Sequence, residues 1–237
     1  MKKIIIKKNT KRTLVNKNLL DAEIVVEKGA NLHLINLPTK KTGRPVKINF
    51  HIQAGGVVRQ FSALLHSIDL SVQVELLGDC SVFGHFMIYF GAHKEKIIFK
   101  SHTKHQGAQT MSRQFICGLA GQKSIADISA KIDISAQADK TDALLAHEGL
   151  LLGKQARINS LPGFSIHTNE VRAVHNSAIH YLKPQDLFYL QSRGLSLPQA
   201  QKLIISGFLK KLVSYIQEEP TRQETINLID HKLNKIL

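Results

Sequence analysis

Tryptophan is absent from this chain of 237 residues, and aromatic side chains make up only 6% of it. With so few large rings, the apolar positions fall to small aliphatics, which suit a narrow interior better than a wide sandwich core. No apolar run approaches the ~18 residues of a membrane-spanning helix. The opening MKKIIIKK returns to lysine after three isoleucines, too soon for a secretory core. Cysteine is scarce as well. Cys80 and Cys117 lie 37 positions apart (80 to 117) and read as reduced thiols of a bacterial-type cytoplasm, not as a disulfide framework. Acidic residues are missing from positions 1–20, which hold seven Lys or Arg, and the whole chain carries +14. That balance fits an anionic partner such as nucleic acid. The plainer reading is a solvated lysine-rich tail. No aromatic residue interleaves it, so a stacking platform for single strands is not supported. C-x-x-C, H-E-x-x-H, G-x-S-x-G and G-x-x-x-x-G-K-[ST] are all absent, and nothing argues for a self-contained enzyme.

From about Ala22 to Leu182 the chain is a succession of short alternating runs. Leu32 and Leu34 alternate with polar neighbours, and Ile48, Phe50, Ile52 and Ala54 alternate with Asn49, His51 and Gln53. Ile68, Leu70, Val72 and Val74 are set against Asp69, Ser71, Gln73 and Glu75. The even positions from Ala126 to Ala136 face Asp127, Ser129, Lys131, Asp133 and Ser135 in the same way. Alternation with period 2 marks strands with one buried face. Glycines at 55, 56, 78, 84, 91, 107, 118, 121, 149, 153 and 163 read as punctuation between them. Strands at such spacing predict a sandwich, barrel or solenoid. The small inward residues favour stacked coils, although no strict repeat is visible.

The C-terminal part is helical. Pro184 suits a first helical position and Gly194 a left-handed C-cap. Ser196 with Gln199 has capping-box spacing, and Ala200, Leu203, Ile204, Gly207, Phe208 and Leu212 form the expected apolar stripe. Phe188 and Tyr189 are adjacent, about 100° apart on the helix, so one is expected to face the strand domain and the other an outward groove. After Glu218-Glu219-Pro220, Thr221 and Glu224 suggest a second capping box ahead of a stripe of Ile226, Ile229, Leu233 and Ile236.

Twelve histidines invite a metal reading. His102 and His105 are three apart among what read as turn residues, and no second ligand pair succeeds them. Asp127, Asp133 and Asp139 recur at six-residue intervals, but a sugar-cleaving solenoid would gather such carboxylates at one site. A charged outer face is the preferred reading for them.

FYLQSRGLS followed by a helix reaching Gly207-Phe208 resembles the C-terminal signature of the SufB/SufD family. These are iron–sulfur cluster assembly scaffold proteins that work with the ATPase SufC. SHTKHQGAQTMSRQFICG, Ser101–Gly118, resembles the family's SHTKH…SRQ…G segment. The block from Lys140 to Ser196 resembles the next segment of SufD-type members. The likeness covers roughly residues 100–209. Residues 1–100 match only in general strand character, and the N-terminal helical region common in SufD proteins has no counterpart.

The resemblance implies a mainly β chain. A right-handed parallel β-helix would occupy residues 1–182, and a C-terminal helical domain, 183–237, would dock the ATPase. The implied partners are a SufC-type ABC ATPase and a SufB-type subunit, or a second copy of the chain. Neither membrane nor nucleic acid is expected. The implied location is cytoplasmic, and no cofactor is held stably, an iron–sulfur cluster being carried only transiently at the partner interface. Val171-Arg172-Ala173-Val174-His175-Asn176-Ser177 aligns with the family's V-K-C-S-H-G-A motif, so His175 inherits the ligand role, for which imidazole is suited. Phe188, Tyr189, Arg193, Gly194 and Phe208 inherit the ATPase contact. The chain departs from the motif at Ala173 and Asn176, and Thr141 stands where SufB-type members carry cysteine. The last departure places it on the SufD side, and thiolate ligands are to be supplied by the partner. The alternatives are a basic strand-rich nucleic-acid-binding protein and a β-solenoid carbohydrate enzyme.

Overall fold

The computed structural model describes every residue except Leu19, Thr39, Lys40 and Thr42. β1 (Lys2–Ile6) and β2 (Lys11–Asn16) make the first coil, β3 (Ala22–Val26) and β4 (Asn31–Asn36) the second. β5 (Val46–Ile52), β6 (Val57–Leu64), β7 (Ile68–Leu76), β8 (Val82–Gly91), β9 (Lys96–His105) and β10 (Met111–Gly121) continue the stack. β11 (Ile125–Ile134), β12 (Thr141–Leu152), β13 (Arg157–Ile166) and β14 (Val171–Tyr181) complete it. The odd strands form one seven-stranded sheet and the even strands another, each in sequence order. Every pairing is parallel. The chain is a parallel β-solenoid, as expected.

A ladder of left-handed corners sets the coils. Asn9, Gly29, Gly55, Cys80, Gln109 and Lys140 all have φ between 56° and 66°. Each donates its N–H to a corner carbonyl of the next coil, from Asn9 to Lys28 at 3.2 Å through to Lys140 to Glu170 at 2.6 Å. The corner-to-corner distance grows from 20 residues (9 to 29) to 31 (109 to 140), so the solenoid widens along the chain.

Inward side chains stack in columns, for example Ile4, Ile24, Phe50, Val74, Thr103, Ile132 and Phe164. Ala126, Ile128, Ala130, Ile132 and Ile134 are buried as the alternation requires. Ala136 is not: β11 stops at Ile134, Ala136 is exposed in the turn, and Ala138 fills the corner instead. Several glycines read as turn residues also prove to lie inside strands, at 84, 91, 118, 121, 149 and 163. Two of them make room for a ring. A Cβ at Gly118 would stand 2.2 Å from Tyr89 Cδ1, and one at Gly149 would stand 3.1 Å from the Tyr89 hydroxyl.

The middle of the even-strand sheet is buried on both faces. Its outer face presents Ile35, Phe61, Ile88, Phe90, Cys117 and Leu119 to the C-terminal helices. These are α1 (Pro184–Ser192), α2 (Leu197–Lys210) and α3 (Glu219–Asn234). The Ser196 capping box forms, with Ser196 N–H donating to Gln199 Oε1 at 2.8 Å and Gln199 N–H to Ser196 Oγ at 3.4 Å. The α2 stripe is rotated from the one expected. Ile205 and Leu209 carry the burial, while Leu203 is 55% exposed, because the run Leu203-Ile204-Ile205 offers three apolar choices and the sheet selects the last. α3 begins earlier than expected, at Glu219, with Pro220 in its first turn. Thr221 caps nothing: its hydroxyl donates to Glu218 Oε2, and Glu224 pairs with Lys17 at 2.8 Å.

Lys232 fastens α3 to the sheet. Its ammonium donates to the carbonyls of Leu65 and Phe90 and to Glu95 Oε2 at 2.6 Å. Burial lowers the Lys232 pKa, against the pull of Glu95. Burial would raise Glu95, but hydrogen bonds from His66, Lys232 and the Ala92 amide prevail and hold it at about 2.

Two outcomes test this architecture. Ile132→Asp places an unpaired charge in a dry interior and should cost several kcal/mol, read from denaturant unfolding. Lys232→Met leaves Glu95 and two carbonyls without their cation and should cost about 3 kcal/mol. The folded Glu95 value lies below its ordinary 4.5, so its stabilisation is complete above that pH and is lost as pH falls toward 2. Lys232→Met should therefore flatten the acid limb of the melting profile.

Candidate partner interfaces

The last coil has no coil beyond it. Arg157 N–H donates to Ser124 O and His167 N–H to Ile134 O, both at 3.0 Å, so the odd amides of β13 face β11 and the even ones face outward. Pro162 occupies one of those outward positions, where its missing N–H breaks no pairing. Leu161, 71% exposed, together with Ile166, Val174, Ile179 and Tyr181, leaves an apolar rim around this open end.

His175 sits mid-way along β14 on this edge, exposed, opposite Leu145 in register and 5.4 Å from the Phe164 ring. Ala173 packs on the interior apolar cluster. Thr141 is buried and donates to Ala138 O, with its oxygen 3.0 Å from Thr110 Oγ1, which in turn bonds His105. The two positions that hold cysteine in SufB- or SufD-type motifs are thus part of the interior packing here. Of the actual cysteines, Cys80 lies at an exposed corner and Cys117 beneath α2, where burial pushes its thiol up to about 12. Among the described residues no three His, Cys, Asp or Glu side chains are placed to hold a metal ion.

His102 and His105, expected in a turn, lie instead on β9 and face opposite ways. His102 Nε2 meets Asp133 Oδ2 at 2.6 Å on the outer face, and His105 bonds Thr110 and Ser112 inside. Asp127 accepts from Asn159 at 2.6 Å and Asp139 from Thr168 at 2.5 Å, so the three aspartates are engaged separately. One arrangement escaped the sequence reading. Tyr89 OH meets His147 Nε2 at 2.9 Å, His147 Nδ1 meets Ser160 Oγ at 2.7 Å, and Ser160 meets Ser177 at 2.8 Å. This chain of polar groups runs from the closed interior to the open end. Burial raises Tyr89 and depresses His147 to about 4, so both stay neutral near pH 7. Gly118 and Gly149, at inward strand positions, were the signal that a large ring lies across them.

The helical hairpin forms the second candidate surface. Gly194 adopts φ +93° after α1, and no residue of α1 is buried. Phe188 and Tyr189, 74% and 58% exposed, both point to solvent, so neither packs against the solenoid as expected. α1 packs mainly on α2, with Leu187 half-buried beside Leu152 and Tyr181, and its side bearing Phe188 and Tyr189 faces solvent. The Arg193 guanidinium lies 5.5 Å from the Tyr189 ring centroid. Phe208 stands apart from this patch. It is half-buried against His180 of β14 at 6.0 Å, with Lys211 Nζ 5.0 Å from its ring centroid.

A family model described as the SufBD core domain of SUF-system iron–sulfur cluster assembly matches residues 4–208. The chain belongs to the SufB/SufD family. The match extends well before residue 100, so the first coils also belong to the core domain and are not merely strand-like. The iron–sulfur cluster assembly protein SufD of Escherichia coli is 29% identical over 122 residues, covering 52% of this chain and 29% of that protein. A SufBD family protein of Mycobacterium tuberculosis is 37% identical over 101 residues, covering 42% and 25%. SufD of Bacillus subtilis is 30% identical over 96 residues, covering 40% and 22%. The matched segment thus spans less than a third of the length of these relatives. No helix among the described residues is long and apolar enough to cross a membrane.

Proposed function

We propose that this chain is a SufD-like scaffold subunit and not an enzyme in itself. In this reading it pairs through β13 and β14 with a SufB-type subunit, or with its own copy. The α1–α2 hairpin presents Phe188, Tyr189 and Arg193 to a SufC-type ATPase. The cluster is cargo, built transiently at the paired edge, where His175 offers one imidazole and the partner supplies the thiolates.

The contrast between the two ends of the solenoid carries this reading. Across the 10 residues of β13 and the 11 of β14 the only charged side chains are Arg157 and Arg172. Charge on an edge strand blunts strand-to-strand pairing, and its near absence beside an exposed apolar rim fits a pairing edge. The first coil has the opposite character, being dense in lysine. For the hairpin, exposed aromatics beside an arginine are the usual energetic anchors of an interface.

His175→Ala should leave the melting curve unchanged and lower the cluster yield of the reconstituted complex with a SufB-type subunit and SufC. Unaltered loading would reduce His175 to a surface residue. Tyr189→Ala and Arg193→Ala should each weaken SufC binding by about 1–2 kcal/mol in calorimetric titration, with monomer stability nearly constant. Undiminished affinity in both variants would remove the hairpin as the ATPase dock.

A further inference from the structure

β1 and β2 are the first strands of the two sheets, with no strand paired on their outer sides among the described residues. Between β1 and β2 lies a cavity of about 160 Å³ whose walls include Ile4, Leu14, Val15, Leu20, Ala22 and Leu34. Ile5, Val15 and Leu20 reach past it into solvent, Leu20 being 55% exposed. A solenoid end of this kind needs a cover with an apolar inner and a polar outer face.

The rim of this mouth is one-signed. Residues 1–20 hold seven Lys or Arg and no acid. Lys7 reaches Glu27 only at 3.8 Å, and Lys17 is taken by Glu224 at 2.8 Å. Lys2, Lys3, Lys8, Lys11 and Arg12 have no ion-pair partner among the described residues. Asp21, the first acid after them, is held below the ordinary carboxylate range by the Lys47 amide and by Arg44. Asp21 lines the mouth as well, and its ion pair with Arg44 at 2.5 Å offsets its charge there.

We propose that this mouth docks an acidic amphipathic segment of another protein. Its apolar stripe lies over the cavity and its carboxylates meet the free Lys and Arg of the rim. Two independent observations select this occupant. The apolar cavity requires a side-chain stripe, which a nucleic acid backbone does not offer. The uncompensated positive rim requires negative charge, which a second copy of this mouth would oppose with its own lysines. The inference stands apart from the pairing and ATPase surfaces of the opposite end.

The test uses the full chain and a synthetic peptide of about 18 residues, five helical turns, with Leu at i, i+3, i+4 and i+7 and Glu elsewhere. Fluorescence anisotropy should show saturable binding. It should weaken at least about tenfold in the triple variant Lys3→Glu, Lys11→Glu, Arg12→Glu, and again in Leu20→Glu. A scrambled peptide of equal charge, without the stripe, should bind the wild type at least about tenfold more weakly. Melting curves confirm that each variant is folded, since all four positions are exposed. No binding of the striped peptide overturns the proposal. So does equal binding of the scrambled peptide or of a single-stranded oligonucleotide, either of which would make the rim a general polyanion surface. Self-association abolished by the triple variant would overturn it in favour of a second copy.

Discussion

The structure depends on one requirement: each coil must satisfy its backbone donors and acceptors on the coils beside it. The parallel ladders do this along the strands, and the left-handed corners do it between them, N–H of one coil to carbonyl of the next. Because the pairing is between backbones, side chains and coil length can drift. The solenoid uses that freedom to widen toward its C-terminal end, with β1 of 5 residues and β12 of 12. The same requirement leaves the outer side of the β13–β14 coil unpaired among the described residues, so that candidate edge follows from the fold itself.

Legibility in the sequence depends on which faces meet water. Most of the runs that alternated clearly, around Phe50, Val72 and Ile132, belong to the odd-strand sheet, whose outer face is solvated. The even strands are covered by α2 and α3 outside and by the core inside, so β6 and β8 are nearly continuous in burial and carry no period-2 signal. The widening coils also removed any fixed repeat length. Helix boundaries with local chemistry, such as Ser196 and Gly194, were legible. The face of α2 was not, because three consecutive apolar residues fit a stripe equally well until the sheet is in place. His175 was placed by its motif, but its exposure depends on β14 being the last strand. The Tyr89–His147–Ser160–Ser177 chain joins residues from four strands, and only the stacking order brings them together.

The interior chemistry is neutral by construction. Burial depresses His85 to about 3 and His105 to about 4, and both remain uncharged at neutral pH. Buried groups of neutral imidazoles, hydroxyls and amides can exchange hydrogen-bond direction without the cost of burying charge. The run from Tyr89 to Ser177 is a separate group of this kind, and it reaches the open coil, close in sequence to His175. Under the proposed reading, His175 would be the one nitrogen ligand this chain brings to that end, beside a polar lining. A cluster there would depend on a partner for most of its coordination, which agrees with assembly at a shared edge and not within one subunit.

The helical segment is attached unevenly, and the pattern has a consequence for how its two surfaces communicate. Lys232 ties α3 to the sheet, Lys210 ties α2 to Asp230 of α3 at 2.8 Å, and Lys211 ties the end of α2 to Glu148 of β12. α1 has no such anchor and no buried residue, and is held between the short link from β14 and the turn at Gly194. Phe208, near the end of α2, packs edge-on against His180 of β14. The exposed aromatic patch and the last strand are therefore joined twice, directly through Leu182-Lys183 and through the packed α2 helix. Under the proposed reading, an ATPase that pulled on the hairpin would load α2, and the contact between Phe208 and His180 would carry that load to the strand on which His175 stands. A packed contact of this kind transmits displacement because side chains in a dense interface cannot yield independently.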